Sequence, residues 1–338
     1  MSYSRRTALG LFAANSLAGP ALAVPARRLD ARLLERAAAT ARGLDQLHAL
    51  VVAVDGTTVM AERFRGPPLA RAVNIKSLSK TVHATVAGLA IDQGILEAVD
   101  QEVAPFLQAD FPPRPDPRLF RLTVDHLLTM RAGLGRTSGA HYGRWVASPN
   151  WVRTALAEPF VDEPGGRMLY STGSYHLLSA VLSRASGRSL RQLTRELLGD
   201  PLGIEVPPWV RDPQGLYLGG NDMALTPDAL IRLGELYRRG GVWDGRHVLS
   251  RTRIEAAWTP RTASPFSGDA YGYGWFVTRL GGQHSFYGRG FGGQMLYVVP
   301  RAGLTVAMTS DPTRPARSGG HVADLHHLMS AFLIPAVA

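Results

Sequence analysis

The sequence predicts an α/β chain of the α+β kind, in which an antiparallel sheet from the N- and C-terminal parts is flanked by helices and an all-helical lobe is inserted between them. Three observations lead there. Two apolar runs near the start are joined by Asp55-Gly56. Three strand-like runs lie between residues 271 and 309. From about 101 to 260 the chain alternates helical patterns with Pro and Gly breaks and holds few convincing strands. Strands at both ends pair most economically with one another, which leaves the middle as a lobe of its own.

Taken in order, the first 23 residues read as an export signal: Arg5-Arg6 is a twin arginine, Ala8 to Ala18 is mostly apolar, and Ala21-Leu22-Ala23 is a small-x-small cleavage site. Asn15, Gly19 and Pro20 interrupt it too soon for a membrane span. The mature chain is expected to begin near Val24, to work in the periplasm or outside the cell after twin-arginine export, and to have no stable membrane insertion. Asp30 to Arg42 has the alanine and leucine content of a helix. Leu47 to Val54 and Thr57 to Phe64, joined by Asp55-Gly56, read as a β-hairpin. Prolines 112, 113, 115 and 117 and the Pro164-Gly165-Gly166 turn punctuate the middle. Tyr271 to Leu280, Gln294 to Val299 and Gly303 to Thr309 read as successive strands, and His321 to Phe332 as a closing helix. The expected division is 24–100 with 261–338 as the α/β lobe and 101–260 as the helical lobe.

Composition narrows the class. With no cysteine there is no disulfide and no thiolate, so stability rests on a core. Without Arg5 and Arg6 the net charge falls from +10 to +8, and the arginines are scattered singly with no stripe of interleaved aromatics, which argues against nucleic-acid binding. Such a surface favours anionic substrates or an anionic membrane face without specifying chemistry.

Of 37 basic residues only Lys76 and Lys80 are lysines, and they flank Ser77 in Asn74-Ile75-Lys76-Ser77-Leu78-Ser79-Lys80. Arginine stays protonated at any working pH, whereas lysine gives up its proton when burial or a neighbouring charge depresses its pKa. In Ser-x-x-Lys on a helix the two side chains share a face, close enough for the amine to take the hydroxyl proton. Ser77 is therefore the candidate nucleophile and Lys80 its base; the alternative is a pair of solvated helix positions. Apolar residues at 82, 86, 89 and 90 continue at helical spacing, placing Ser77 in the first turn, where free N–H groups and the helix dipole favour a developing anion. Lys76 is expected to point to solvent and His83 to serve packing.

Further segments carry a resemblance. Leu122 to Leu134 (LTVDHLLTMRAGL), Leu218 to Pro227 (LGGNDMALTP) and Gly240 to Gly245 (GGVWDG), in this order after Ser77-x-x-Lys80, resemble the serine beta-lactamase and penicillin-binding-protein superfamily, in the class C-like branch of beta-lactamase-related serine hydrolases that holds esterases and 6-aminohexanoate-dimer hydrolases. The match covers nearly the whole mature chain and implies a beta-lactamase-like fold. The family's second motif, Tyr-x-Asn, is matched by Tyr170-Ser171-Thr172, so the resemblance implies Tyr170 as general acid/base and puts Thr172 where the family has asparagine. The third motif, Lys-Thr-Gly or His-x-Gly, aligns with Gly288-Arg289-Gly290. It lacks the first-position cation, and Arg289 stands next to it. The resemblance implies an oxyanion hole from the Ser77 and Phe291 N–H groups, with Thr172, Arg289 and Gly290 as substrate-binding residues.

No cofactor or metal is expected. Gly288, Gly290 and Gly293 match Gly-x-Gly-x-x-Gly, but the stretch precedes a strand instead of opening a helix. His321, His326 and His327 do not share one helical face and read as solvated positions, and His126 as serving a helix start. The expected reading is an exported serine hydrolase acting on a small-molecule ester or amide through a Ser77 acyl-enzyme. Its alternatives are a beta-lactamase or D-alanyl-D-alanine peptidase, a non-catalytic ligand-binding protein on the same scaffold, and a basic surface-binding module.

Overall fold

The computed structural model describes residues 27–318 and 320–337, so the expected export signal lies outside the described residues. Its strands are β1 (Leu47–Val54), β2 (Thr57–Arg63), β3 (Val73–Asn74), β4 (Ala224–Leu225), β5 (Val242–Trp243), β6 (Arg246–His247), β7 (Thr262–Ala263), β8 (Ala270–Tyr271), β9 (Phe276–Leu280), β10 (Gln283–Gly290), β11 (Gln294–Val299) and β12 (Leu304–Ser310). Eight of them form one sheet in the order β2-β1-β12-β11-β10-β9-β8-β7. The N-terminal hairpin joins the C-terminal strands through antiparallel β1–β12 pairing, with Val52 opposite Val306. The α+β class and the sheet shared by the two ends are as the sequence predicts.

Asp55 and Gly56 both have positive φ (47° and 86°), the handedness a two-residue hairpin turn requires. Helix α1 (Ala31–Arg42) is capped by Asp30, whose carboxylate accepts the N–H groups of Arg32 and Leu33. β11 and β12 are buried at every position, so both faces of the sheet's centre are covered. The helix Pro227–Arg238 packs on β1, β11 and β12, and its Gly234 permits the close approach: a Cβ there would lie 2.5 Å from Thr305 Cγ2.

Four details differ from expectation. The run from 271 to 280 is two strands, broken at Gly272–Trp275, because Gly274 (φ 77°) brings the chain against the helix Ser79–Asp92; a Cβ on it would sit 2.6 Å from Ala84 Cβ. β10 is a full strand that its mixture of polar, aromatic and glycine residues conceals. The inserted segment carries short ladders, β3–β4 and β5–β6, because residues 224–225 double back onto Val73–Asn74. The closing helix His321–His327 widens into a π turn at Leu328–Leu333, and its histidines are not solvated as a set: His321 Nε2 lies 3.0 Å from Ser310 Oγ and His326 Nδ1 3.3 Å from Tyr297 OH. His126 does serve a helix start, in a reciprocal capping box with Thr123.

Helix α2 (Ser79–Asp92) is buried all round except at Gly88 and Asp92, in place of the one-sided burial its spacing suggested. It runs against both β10 and the helix Thr172–Ser186. That central position keeps all but the last of its side chains from water, Lys80 included.

Candidate active site

The site begins where the chain leaves β3. The Ile75 N–H donates to the Met223 carbonyl at 2.9 Å, and Met223 N–H donates to Ser79 Oγ at 3.2 Å, so the stretch before α2 is stitched to residues 222–225. Ser77 lies in a 3-10 turn, Lys76–Leu78, one step before α2 and not in the α-helix itself. Lys76 has φ 51°, a left-handed conformation that costs a non-glycine residue about 1–2 kcal/mol. Its N–H donates to Asn74 Oδ1 at 2.8 Å and its Nζ pairs with Asp222 Oδ1 at 3.1 Å. The expectation that Lys76 points to solvent is therefore corrected: a carboxylate within reach at a half-buried position outcompetes water.

Lys80 is 2% exposed, and its Nζ has three polar neighbours: Gly220 O at 2.7 Å, Ser77 Oγ at 3.2 Å and Thr172 Oγ1 at 3.3 Å. Its pKa is lowered below the ordinary lysine value by burial, against the opposing influence of Tyr170 and Asp222. A neutral amine has two hydrogens and one lone pair. Gly220 O and Thr172 Oγ1 accept the two hydrogens, which leaves the lone pair for the Ser77 hydroxyl. Tyr170 lies alongside, with Lys80 Nζ 5.0 Å from its ring centre.

The Gly220 carbonyl is itself held in place. Gly219 N–H donates to His176 Nδ1 at 3.3 Å and Gly220 N–H donates to His83 Nδ1 at 2.8 Å. His176 is fixed in turn by Asp212 Oδ2, 3.0 Å from its Nε2. Both glycines are required: a Cβ on Gly219 would fall 1.9 Å from Tyr175 O, and one on Gly220 (φ 72°) 2.9 Å from Lys80 Cγ. Burial first, then the Lys80 and His176 charges, lower the His83 pKa to about 3, so the ring is neutral and available as an acceptor at working pH. Sequence reasoning placed His83 in packing and gave the glycine pair no role, although Leu218-Gly219-Gly220 was singled out.

β10 supplies the other wall. A Cβ on Gly288 would meet Leu78 Cδ1 at 2.3 Å and one on Gly290 would meet Ile75 O at 2.2 Å, so glycine at both places lets the strand lie against the Ser77 turn. Thr81 Oγ1 donates to Gly274 O at 2.7 Å, locking α2 to the neighbouring strand connection. Ser77, Tyr170, Thr172, Arg289, Gly290 and Phe291 all line one cavity of about 540 Å³, with Lys80 buried beneath Ser77. Every residue singled out for the site thus converges on one cleft. Ser138, which was not singled out, supports Thr172 from below: its Oγ accepts the Thr172 N–H at 2.8 Å and lies 2.9 Å from Thr172 Oγ1. Among the described residues no three His, Asp or Glu side chains gather as metal ligands, and no helix is long and apolar enough to cross a membrane.

The fold has known counterparts. The family model described as Beta-lactamase matches residues 45–328. Among solved structures the chain is similar to EstCE1, a hydrolase with promiscuous acyltransferase activity (TM-score 0.71, 20% identity, 88% of this chain and 98% of that one). It is also similar to a beta-lactamase from Mycobacterium bovis (0.67, 18%, 89% and 100%) and to a penicillin-binding-protein homolog from Caulobacter crescentus (0.69, 18%, 89% and 98%). At these identities the likenesses speak for the fold. No curated protein matches.

Proposed function

The chain belongs to the beta-lactamase family, and from that premise we propose that it is an exported serine hydrolase cleaving an ester or amide by acyl transfer. Neutral Lys80, with Tyr170 beside it, takes the proton of Ser77, and Ser77 Oγ bonds to the substrate carbonyl carbon. The Ser77 and Phe291 N–H groups hold the oxyanion, Tyr170 protonates the departing group, and water then releases the acyl group from Ser77. The observation that carries this reading is the Lys80 amine, buried and 3.2 Å from Ser77 Oγ, with its other two polar neighbours both able to accept hydrogens.

Esterase or amidase action is favoured over beta-lactam or D-alanyl peptide hydrolysis by two replacements. Thr172 stands where the family has asparagine, and Gly288 stands where it has a cation. A non-catalytic binding role is disfavoured because nothing in simple ligand recognition calls for a buried lysine against a serine hydroxyl. Export rests on Arg5-Arg6 and the apolar run after it; cell fractionation of the Arg5→Lys/Arg6→Lys variant tests it, with retention in the cytoplasm expected.

The enzymatic reading is tested by fluorophosphonate labelling with peptide mapping, together with nitrophenyl esters, a chromogenic cephalosporin and D-alanyl dipeptides. Labelling at Ser77, its loss in Ser77→Ala and turnover of esters above the cephalosporin are expected. Equal labelling of the two proteins sinks the proposal.

A further inference from the structure

The chemistry proposed above leaves two buried titratable side chains without a role. The side chains of His176 and Asp212 are fully buried, with Nε2 and Oδ2 3.0 Å apart, and neither lines the cavity over Ser77. Burying a carboxylate is costly unless its oxygens find donors. Asp212 Oδ1 accepts the N–H groups of Gln214 and Leu216 at 2.9 and 2.8 Å, which leaves Oδ2 for the imidazole. An ionised carboxylate accepts and never donates, so the His176 hydrogen sits on Nε2 and the lone pair on Nδ1. That lone pair meets the Gly219 N–H at 3.3 Å. Trp145 and Trp151 pack edge-on against the ring at 5.6 and 5.5 Å and fix its plane.

His83 does the same one residue later. Its Nδ1 accepts the Gly220 N–H at 2.8 Å, so its hydrogen sits on Nε2, and the ring stacks on Trp209 at 5.7 Å. Two imidazoles on two helices, Ser79–Asp92 and Thr172–Ser186, thus hold consecutive N–H groups of one turn. The carbonyl of that turn, Gly220 O, takes a hydrogen from Lys80 Nζ at 2.7 Å. Groups that must keep a fixed geometry are held best by such bonded supports on rigid elements.

Resting on the hydrolase reading, we propose that Asp212, His176 and His83 are positioning residues of the reaction. They keep the Gly220 carbonyl where it occupies one hydrogen of the Lys80 amine, so that the lone pair stays on the Ser77 hydroxyl. Asp212 acts at a distance, by fixing which nitrogen of His176 carries the hydrogen.

Asp212→Asn isolates that step with little change in size. Its carbonyl oxygen stays with the Gln214 and Leu216 N–H groups, so its NH2 faces His176 Nε2, drives the hydrogen to Nδ1 and sets it against the Gly219 N–H. Nitrogen-15 labelling of histidine should show the His176 hydrogen move from Nε2 in wild type to Nδ1 in the variant. On 4-nitrophenyl acetate, kcat should fall about 10- to 100-fold with little change in KM, as for a misplaced catalytic group. The acid limb of kcat/KM should move to lower pH, because a carbonyl stabilises an ammonium more than an amine. His83→Leu should give the same fall and the same shift. It changes no charge at working pH, since burial and the nearby Lys80 and His176 charges keep His83 neutral there. His83→Asn, whose amide oxygen falls where Nδ1 was, should recover most of both. The other groups facing Lys80, namely Tyr170, Tyr175, Asp222 and Lys76, are the same in all these variants.

The limb position does not depend on how much of a variant is folded. A His176 hydrogen on Nδ1 in wild type, an unchanged kcat, or a limb unmoved or moved upward in Asp212→Asn and His83→Leu overturns the proposal. So does a His83→Asn protein no better than His83→Leu. In each case wild-type turnover and labelling at Ser77 leave the hydrolase reading standing. A wild type that neither labels at Ser77 nor cleaves the ester sinks both.

Discussion

Lys76 and Asp222 are joined by a 3.1 Å ion pair, and both are left-handed, with φ of 51° and 60°. Asn74 links them a second time, accepting the Lys76 N–H at 2.8 Å and donating to the same Asp222 oxygen at 2.8 Å. Two strained residues brace one another beside Ser77. Strain of this kind persists only where its surroundings over-determine it.

Removing the brace therefore has a signature. Lys76→Gly and Lys76→Ala lose the same ion pair, but glycine tolerates positive φ, so Lys76→Gly should be the more stable by about 1–2 kcal/mol in denaturant melts. Asp222→Asn keeps shape and drops charge, and should lower kcat more than it raises KM as the Ser77 turn loosens. Equal stabilities for the glycine and alanine variants would show that residue 76 leaves the left-handed region once the pair is gone.

Lys80 predicts a pH profile. Burial lowers its pKa below the ordinary lysine value, and the base must be neutral, so kcat/KM should rise with pH through that lowered pKa. Stability follows with the same sign: between the lowered native pKa and the ordinary one, the unfolded chain binds more protons, so stability increases with pH across that window. Lys80→Met should flatten this slope and cut kcat by about 10²- to 10⁴-fold, the usual range for a lost general base. Rate profiles and denaturant melts at several pH values check both halves.

The Gly219-Gly220 turn should prove as sensitive as the lysine it serves. Gly220→Ala sets a Cβ 2.9 Å from Lys80 Cγ at φ 72°, and should cost about 1–3 kcal/mol in stability as well as activity. His83→Leu leaves the Gly220 N–H without its acceptor, a loss of about 1–3 kcal/mol. Because the native His83 pKa is about 3, below the ordinary histidine range, wild type should lose stability as pH falls from that range toward 3. His83→Leu should reduce this acid dependence, as thermal melts between pH 7 and 4 will report.

Glu235 tests the helix–sheet contact. It is 1% exposed, bonded to Arg238, Arg239 and Thr305. Burial pushes its pKa up, but the Arg238 and Thr305 bonds and the Arg239 pair outweigh that and leave it lowered. Its contribution is present above the ordinary glutamate range and is lost as pH falls through the lowered pKa. Glu235→Leu should destabilise by about 1–3 kcal/mol, chiefly by leaving the buried Thr305 hydroxyl without its acceptor, since Arg239 is a third exposed and Arg238 keeps Asp55. Denaturant melts at pH 7 measure it.

What the sequence determined by itself is local or chemical: the Asp55-Gly56 hairpin, the helix that follows Asp30, the helix start served by His126 and the Ser77-x-x-Lys80 spacing, all legible because their partners lie within a few residues. The family's motifs brought Tyr170 and Gly290 into view as well. Only the tertiary structure decided what else surrounds Lys80, because Gly220 and Thr172 are 140 and 92 residues from it. No periodicity encodes a contact across such a distance. β10 was obscured for the same reason: its glycines are chosen for the backbone at residue 75 and the side chains at 78 and 81, not for strand propensity. The ion pair of Lys76 depends on Asp222 folding back from the far end of the inserted segment. Position in space, set by packing α2 between sheet and helices, turns an ordinary lysine into a buried amine of lowered pKa, 3.2 Å from Ser77 Oγ.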